Sequence, residues 1–416
     1  MANVLIIGAG GVGRVVARKC AQYPDFFSRV CLAGRAPGRL RQICLEGGKA
    51  FETAVLNAGD QAEIVAAIRR VRAQIVINAT LPFHNLAIME ACLEAGAHYL
   101  DTAVPEVSDE LWSDPDDRYW YGLQWAFHEL FRERRLTALL GIGSDPGMVN
   151  VFCAYARDEL FDEIAAIDIM DVNAGTHGLP FATNFNPEIN LRELQNPSHY
   201  WEDGEWHRAD PFTLSRDYDF PGIGRRLLFS VDHDELHSLY KHFPKASLRF
   251  WMGFSPRYID YFKKLHQLGL LSSEPLQVET ADGTMSRIAP LKLLKALLPD
   301  PGSLGERYRG QVCIGCLVRG WKNGRERTVF IYNLCDHQAC YRDCGAQAIS
   351  YAAGVPTVAA ALLLAGGTWR KPGVYNAEEL APRPFLALLP GLGLSWEIRE
   401  EGGEEQELEA CAARQR

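Results

Sequence analysis

Short apolar runs recur along the first third of the chain, each followed by a turn and then by apolar residues at helical spacing. Val4-Leu5-Ile6-Ile7 leads into Gly8-Ala9-Gly10-Gly11-Val12-Gly13, and a helical pattern through Val15, Val16, Lys19 and Cys20 follows. A second run, residues 30–33, ends at Gly34-Arg35. The same reading predicts strands over 51–56, 74–79, 98–102 and 137–140. It predicts helices over 61–71, 86–95 and 120–134, with Gly96 capping the second. Six strands joined by helices predict an α/β fold with a Rossmann-type doubly wound parallel sheet.

Beyond residue 150 the pattern changes. Residues 164–172 alternate as a strand, and 173–230 read as a long polar loop rich in Asn, Pro, Gly and aromatics. Residues 248–253, 312–320 and 328–333 add strands of a mixed sheet, which predicts a second, α+β domain. Residues 345–364 are helical, and the Ala- and Leu-rich part at 357–365 is too short to span a bilayer. The expected divisions are a cofactor domain over 1–147, a substrate and dimerisation domain over 148–344, a helical segment packing back over 345–396, and a disordered acidic tail over 397–416.

The glycine turn carries the first chemistry. It lies directly after a strand and before a helix, the context of dinucleotide binding. Gly8 permits the tight turn, Gly10 lets the backbone approach a pyrophosphate, and Gly13 lets helix and strand pack closely. Phosphates then meet the helix N-terminus through Gly11 and Val12. At the end of the second strand an NAD enzyme usually carries Asp or Glu. Here Gly34 leaves room for a 2′-phosphate, and Arg35 and Arg39 can grip it, so NADP(H) is expected. Arg41 reads as a solvated helix face. Asn57, Ala79-Thr80-Leu81-Pro82, Asp101-Thr102 and Gly143 with Pro146-Gly147 sit at further strand ends and join the cofactor set.

Size and charge narrow the function. A chain of 416 residues exceeds one ordinary core. A net charge of −9 argues against nucleic acid as a partner. The first strand begins almost at Met1, so no leader is expected and the protein reads as cytoplasmic, with no membrane partner. Cys313, Cys316, Cys335 and Cys340 could in principle donate to zinc. The first pair falls in a strand and the second is spaced C-x4-C, so buried free thiols are favoured and no metal is assigned.

Four polar phrases in the second half are dense in groups that bind or move protons: residues 143–147, 171–178, 183–188 and 335–338. Together with Asp219-Phe220-Pro221-Gly222, Cys313-Ile314-Gly315-Cys316 and Gln347-Ala348-Ile349-Ser350-Tyr351, they resemble the saccharopine dehydrogenase-like superfamily. Within it, the Asn- and Phe-rich stretch at 181–190 is similar to the carboxynorspermidine (carboxyspermidine) dehydrogenases, and the resemblance runs from residue 1 to about 396.

That resemblance implies NADPH-dependent condensation of L-aspartate β-semialdehyde with a diamine, putrescine or 1,3-diaminopropane, through a Schiff base. Asp145, His177 and His337 are the candidate proton-handling residues for that chemistry, against the plainer readings of a helix cap for Asp145, a structural loop histidine for His177 and, the favoured one, a core histidine for His337. Glu188 would hold the distal ammonium, with an ion pair to Arg192 as the plainer alternative. Asn173, Asn184 and Asn186 would line the pocket, and Arg192 would meet the substrate carboxylate. A homodimer is expected, with Trp201, Trp206 and Trp251 as candidates for its face. Two other readings stay open. One is a saccharopine- or homospermidine-forming relative, for which Arg225-Arg226 could bind a larger acceptor. The other is a non-catalytic NADPH sensor.

Overall fold

The computed structural model describes residues 1–48, 50–104 and 121–401. Strands β1 (Ala2–Ile7), β2 (Phe27–Gly34), β3 (Glu52–Val55), β4 (Ile75–Asn78), β5 (His98–Asp101) and β6 (Thr137–Leu140) form one parallel sheet. Gly373–Asn376 pairs in parallel with β6, so the sheet has seven strands in the order Gly373–Asn376, β6, β5, β4, β1, β2, β3. Residues 4–7, 75–78 and 137–140 are buried throughout because helices cover both faces, which is why they read as unbroken apolar runs. The register sets Ile7 beside Ala33 and Asn78, and Asn78 beside Asp101, so the carboxyl ends of the strands share one edge.

Several expectations need correction. The single helix over 120–134 is two short ones, Tyr121–Trp125 and His128–Glu133, and Trp120 lies outside the described residues. The polar stretch 173–230 is no plain loop. It carries the helix Pro187–Glu193 and the strands Ser198–Glu202, Glu205–Ala209, Ser215–Phe220 and Gly224–Ser230. Alternating burial along Ser215–Phe220 was hidden by its polar composition.

The second sheet is built on β7 (Glu163–Asn173), which runs parallel to Ser247–Gly253 and antiparallel to Gln311–Lys322. Arg325–Asp336 pairs next, and Trp396–Glu400 closes that side. The sheet is therefore mixed, and the expected tail begins later than residue 397. Residues 402–416 lie outside the described part.

The face of β7 carrying Ile167 and Ile169 packs into the large core shared with the first domain, while Met170 and Val172 face a separate aromatic cluster. Cys316 and Cys313 divide the same way. Cys316 lies in the shared core, 3.7 Å from Cys153, and Cys313 lies in the aromatic cluster. Two thiols on opposite faces of one strand do not converge on a metal. Trp251 is fully buried and donates to Asp168 at 2.7 Å, so it belongs to no dimer face.

Helix α1 (Gly11–Cys20) is covered by the long helix Ala348–Gly366. A Cβ on Gly354 would fall 2.7 Å from Val15, which is how close the two helices come. The long helix is apolar enough to cross a membrane by composition, but 78% of it is buried inside the fold, as a core helix. The C-terminal segment is thus more than helical: one of its strands completes the first sheet and another the second.

Candidate active site

The cofactor cradle follows from close packing at the end of β1. Gly8 sits at φ +119° against the Ala79 carbonyl, where any side chain would collide. A Cβ on Gly13 would run into the Gly8 carbonyl. A Cβ on Gly10 would meet nothing, so the turn opens onto free space. Gly10 offers no side-chain cap and the first turn of α1 has no acid, so its N–H groups are open to an anion. Gly11 instead faces Ser350 of the covering helix.

At the end of β2, Gly34 is buried against Ala9 and Arg35 is exposed, with no hydrogen bond or ion pair among the described residues. Arg39 is different, since it donates to Asp300 of the second domain at 2.8 Å. Arg35 is therefore the available cation, and the cradle fits a dinucleotide carrying a 2′-phosphate. The Asn57 carboxamide accepts from Gly59, shaping the turn after β3. Thr80 is fastened to the Asn78 side chain at 3.0 and 2.6 Å, which fixes the Thr80-Leu81-Pro82 turn. Gly143 donates to the Pro146 carbonyl at 2.8 Å and Gly147 to Asn150 at 2.8 Å, which places this turn against Thr102. Asp101 takes another role: its carboxylate is buried and accepts from Tyr99, Gln124 and Gly141, so it locks strands together. Burial pushes it up to about 7.

The polar phrases of the second half do meet, through a residue the sequence did not single out. Tyr308 stacks on His337 at 3.9 Å, accepts from Asn173 at 3.1 Å and donates to Asn184 at 2.7 Å. His177 packs edge-on against the same ring at 5.3 Å. His337 is fully buried. Its Nδ1 accepts from the Ala348 N–H, so its Nε2 carries the proton and donates to Asn173. Burial drives it down to about 4. With both nitrogens committed it is a neutral brace, not a proton carrier. The Nδ1 of His177 accepts from Leu179, and burial and the nearby Arg257 and Arg307 hold the ring below its usual range.

The substrate residues at 186–192 resolve differently. Asn186 caps the helix Pro187–Glu193 by accepting from the Glu188 N–H. Glu188 already holds an ammonium, that of Lys295 at 2.7 Å, and Lys295 and Arg192 together hold its carboxyl below the usual range. Arg192 is partly exposed on the same helix. Arg225 pairs with Asp217 on an exposed hairpin.

The densest ionisable cluster was only partly foreseen. It gathers Asp145 from the turn after β6, Asp171 from β7, and His233 and Glu235 from the loop following Gly224–Ser230. His233 lies flat on Phe250 at 4.0 Å and pairs with Glu235 at 2.5 Å. Asp145 accepts from Ser144 at 2.5 Å. Burial pushes Asp145 up to about 6 against the pull of His233. Burial, with Asp145 and Glu235 adding to it, carries Asp171 well above the usual range. Glu235 and the neighbouring acids hold His233 charged in spite of burial. Asp234 in the same loop accepts from the Val104 N–H at 2.8 Å, docking the second domain beside β5. Although Asp171 opens the phrase at 171–178, of the four only Asp145 carries a role predicted from the sequence. The others join it through strand register and a loop that carries no motif.

Residues 4–139 match the saccharopine dehydrogenase NADP binding domain and residues 143–394 the saccharopine dehydrogenase C-terminal domain. A protein named carboxynorspermidine synthase from Vibrio cholerae serotype O1 is 45% identical over 408 residues, 96% of this chain and 97% of that one. A carboxyaminopropylagmatine dehydrogenase from Synechocystis sp. is 44% identical over 398 residues, 95% of this chain and 97% of its own. Among solved structures, the apo saccharopine dehydrogenase (L-Glu forming) of Saccharomyces cerevisiae superposes with a TM-score of 0.73 at 14% identity, covering 97% of this chain and all of that one, a likeness of fold. The glycine cradle, the open Arg35 and these matches agree: the chain belongs to the saccharopine dehydrogenase family, as an NADP(H)-dependent oxidoreductase.

Proposed function

We propose that this protein condenses L-aspartate β-semialdehyde with a diamine, putrescine or 1,3-diaminopropane, and reduces the resulting Schiff base to carboxyspermidine or carboxynorspermidine in polyamine synthesis. The observation that carries the reading is the 45% identity, over nearly the whole of both chains, to a carboxynorspermidine synthase. The chemistry of the site supports it. A free diamine is doubly protonated near neutrality, and the cleft offers carboxylates from Asp145 and Asp171 with no lysine or arginine paired to them among the described residues.

The N–H groups at the start of α1 and the Arg35 guanidinium would hold NADPH. When bound, the dinucleotide supplies hydride to the carbon–nitrogen double bond. The Tyr308–Asn173–Asn184 network, braced by His337, presents donors and acceptors to the aldehyde substrate. Buried apolar residues, Ile169 and Phe250 among them, back Asp171 and His233 and would limit the access of water to the imine.

The Synechocystis relative's name favours a second reading, in which the amine ends in a guanidinium. One assay separates them: NADPH consumption by purified protein given the aldehyde with putrescine, 1,3-diaminopropane or agmatine, and with NADH in parallel. Turnover requiring both aldehyde and a diamine is expected. Turnover with agmatine alone moves the reading to the guanidinium amine, and none with any amine removes it. The buried free thiols favour a reducing, cytoplasmic setting. The homodimer is tested by light scattering of the purified chain.

A further inference from the structure

We propose that Asp171 and Asp145 receive the attacking ammonium of the amine substrate, and that Asp145 then takes its proton, with the His233–Glu235 pair as fixed positioning groups behind them. This rests on the amine–aldehyde reading above.

The argument begins with strand register. Ile169 of β7 lies beside Phe250, and His233 covers the Phe250 ring. Asp171 is two residues further along the same face of β7, so it comes next to His233. That face looks toward the helix Met148–Tyr155, which starts immediately after the Asp145 turn. Three carboxylates therefore converge on one imidazolium where the two domains meet. His233 neutralises Glu235, and Ser144 supplies one hydrogen bond to Asp145.

The second observation is what remains unanswered. Glu235 is fully buried, yet its Oε1 has no hydrogen-bond partner among the described residues. The Oδ1 of Asp171 is likewise buried and unpartnered. Native interiors rarely leave carboxylate oxygens in this state, and the missing group is a donor bearing positive charge. A primary ammonium is such a group, with three N–H donors and one charge. Asp145 and Asp171 each keep a partly exposed edge, so the opening to solvent is on their side and Glu235 forms the closed end.

The proton balance is complete with these groups. The ammonium transfers one proton to Asp145, and its nitrogen lone pair forms the bond to the aldehyde carbon. The carbonyl oxygen takes up the second nitrogen proton, giving the neutral carbinolamine. Asp145 returns its proton to that hydroxyl, the carbon–oxygen bond breaks, water leaves, and the iminium remains beside the Asp171 carboxylate. Asp145 is again ionised, and hydride from the established cofactor completes the reduction.

The test is calorimetry of putrescine, and separately agmatine, binding to the protein saturated with NADP+, beside steady-state kinetics. Asp171→Asn should weaken amine binding at least ~10-fold with NADP+ affinity and melting temperature held. Asp145→Asn should also weaken amine binding, by no more than Asp171→Asn does, but lower kcat at least ~100-fold. Asp171→Glu should recover part of the loss. Binding to the wild type near neutral pH, measured in two buffers of different ionisation heat, should expel a proton from the group formed by Asp145, Asp171, His233, Asp234 and Glu235. This measurement needs no variant to fold. An active wild type whose Asp171→Asn form binds amine equally, or whose binding moves no proton, overturns the inference alone. A wild type that neither binds nor turns over any amine overturns the reading beneath it.

Discussion

Asp101 accepts the Gly141 N–H at 2.6 Å, tying the end of β5 to the end of β6 beneath the candidate site. Burial raises this carboxyl to about 7, so the folded chain keeps its proton over a range where the unfolded chain has lost it. The stability it contributes is full below the ordinary carboxylate range and is lost as pH rises through about 7. Asp101→Asn should therefore flatten the fall of melting temperature between about pH 4 and pH 7, a contribution on the order of a few kcal/mol. Thermal melts across that range would check it. A slope unchanged from wild type would place the titration elsewhere.

Among the described residues Arg35 makes no ion pair at the end of β2, whereas Arg39 is held by Asp300. Arg35→Ala should raise the KM for NADPH roughly tenfold or more and leave that for NADH within about twofold, as expected for loss of a charge-assisted phosphate contact. Arg39→Ala should have the smaller effect on this ratio. Equal losses with both cofactors would show that Arg35 does not read the 2′-phosphate.

Glu188 binds Lys295 across two helices of the second domain. Both side chains are partly exposed, so Glu188→Gln should cost no more than about 1 kcal/mol of stability. The KM for the diamine should stay within about twofold. A large rise in that constant alone would restore Glu188 as the ammonium site that the sequence suggests.

His337 is neutral across the working pH range and fully bonded, with its ring under Tyr308. His337→Ala should cost roughly 2–4 kcal/mol through the cavity and the unpaired groups it leaves. It should raise the KM for the aldehyde without moving either limb of the pH–rate profile. A shifted limb would make His337 a proton carrier after all.

The cofactor half was legible because its signals are local. The turn at Gly8–Gly13 is spelled out by a strand, glycines and a helix in succession, and each glycine proves to be demanded by a neighbouring atom or by open space. The second half was legible in its phrases but not in their roles. His177 and His337 carry the residue type that moves protons, yet burial and committed nitrogens decide what they do, and burial is a property of the packed fold. Tyr308 gave no signal because a lone tyrosine in a polar stretch has no pattern. Asp171 and Glu235 become neighbours only through the register of β7 with Ser247–Gly253. The strand Gly373–Asn376 was missed because four residues after a long helix are too few to show alternation.

That last strand bears on how the protein comes into being. β6 leaves the ribosome long before the strand that will flank it, and β7 and its partners emerge long before Trp396–Glu400. During synthesis both sheets therefore wait with an open edge, which is the part of a nascent chain most prone to pairing with the wrong neighbour. The strands that complete the dinucleotide sheet and the substrate sheet thus come from one C-terminal segment, and each sheet is finished only once residues 373–400 have been made.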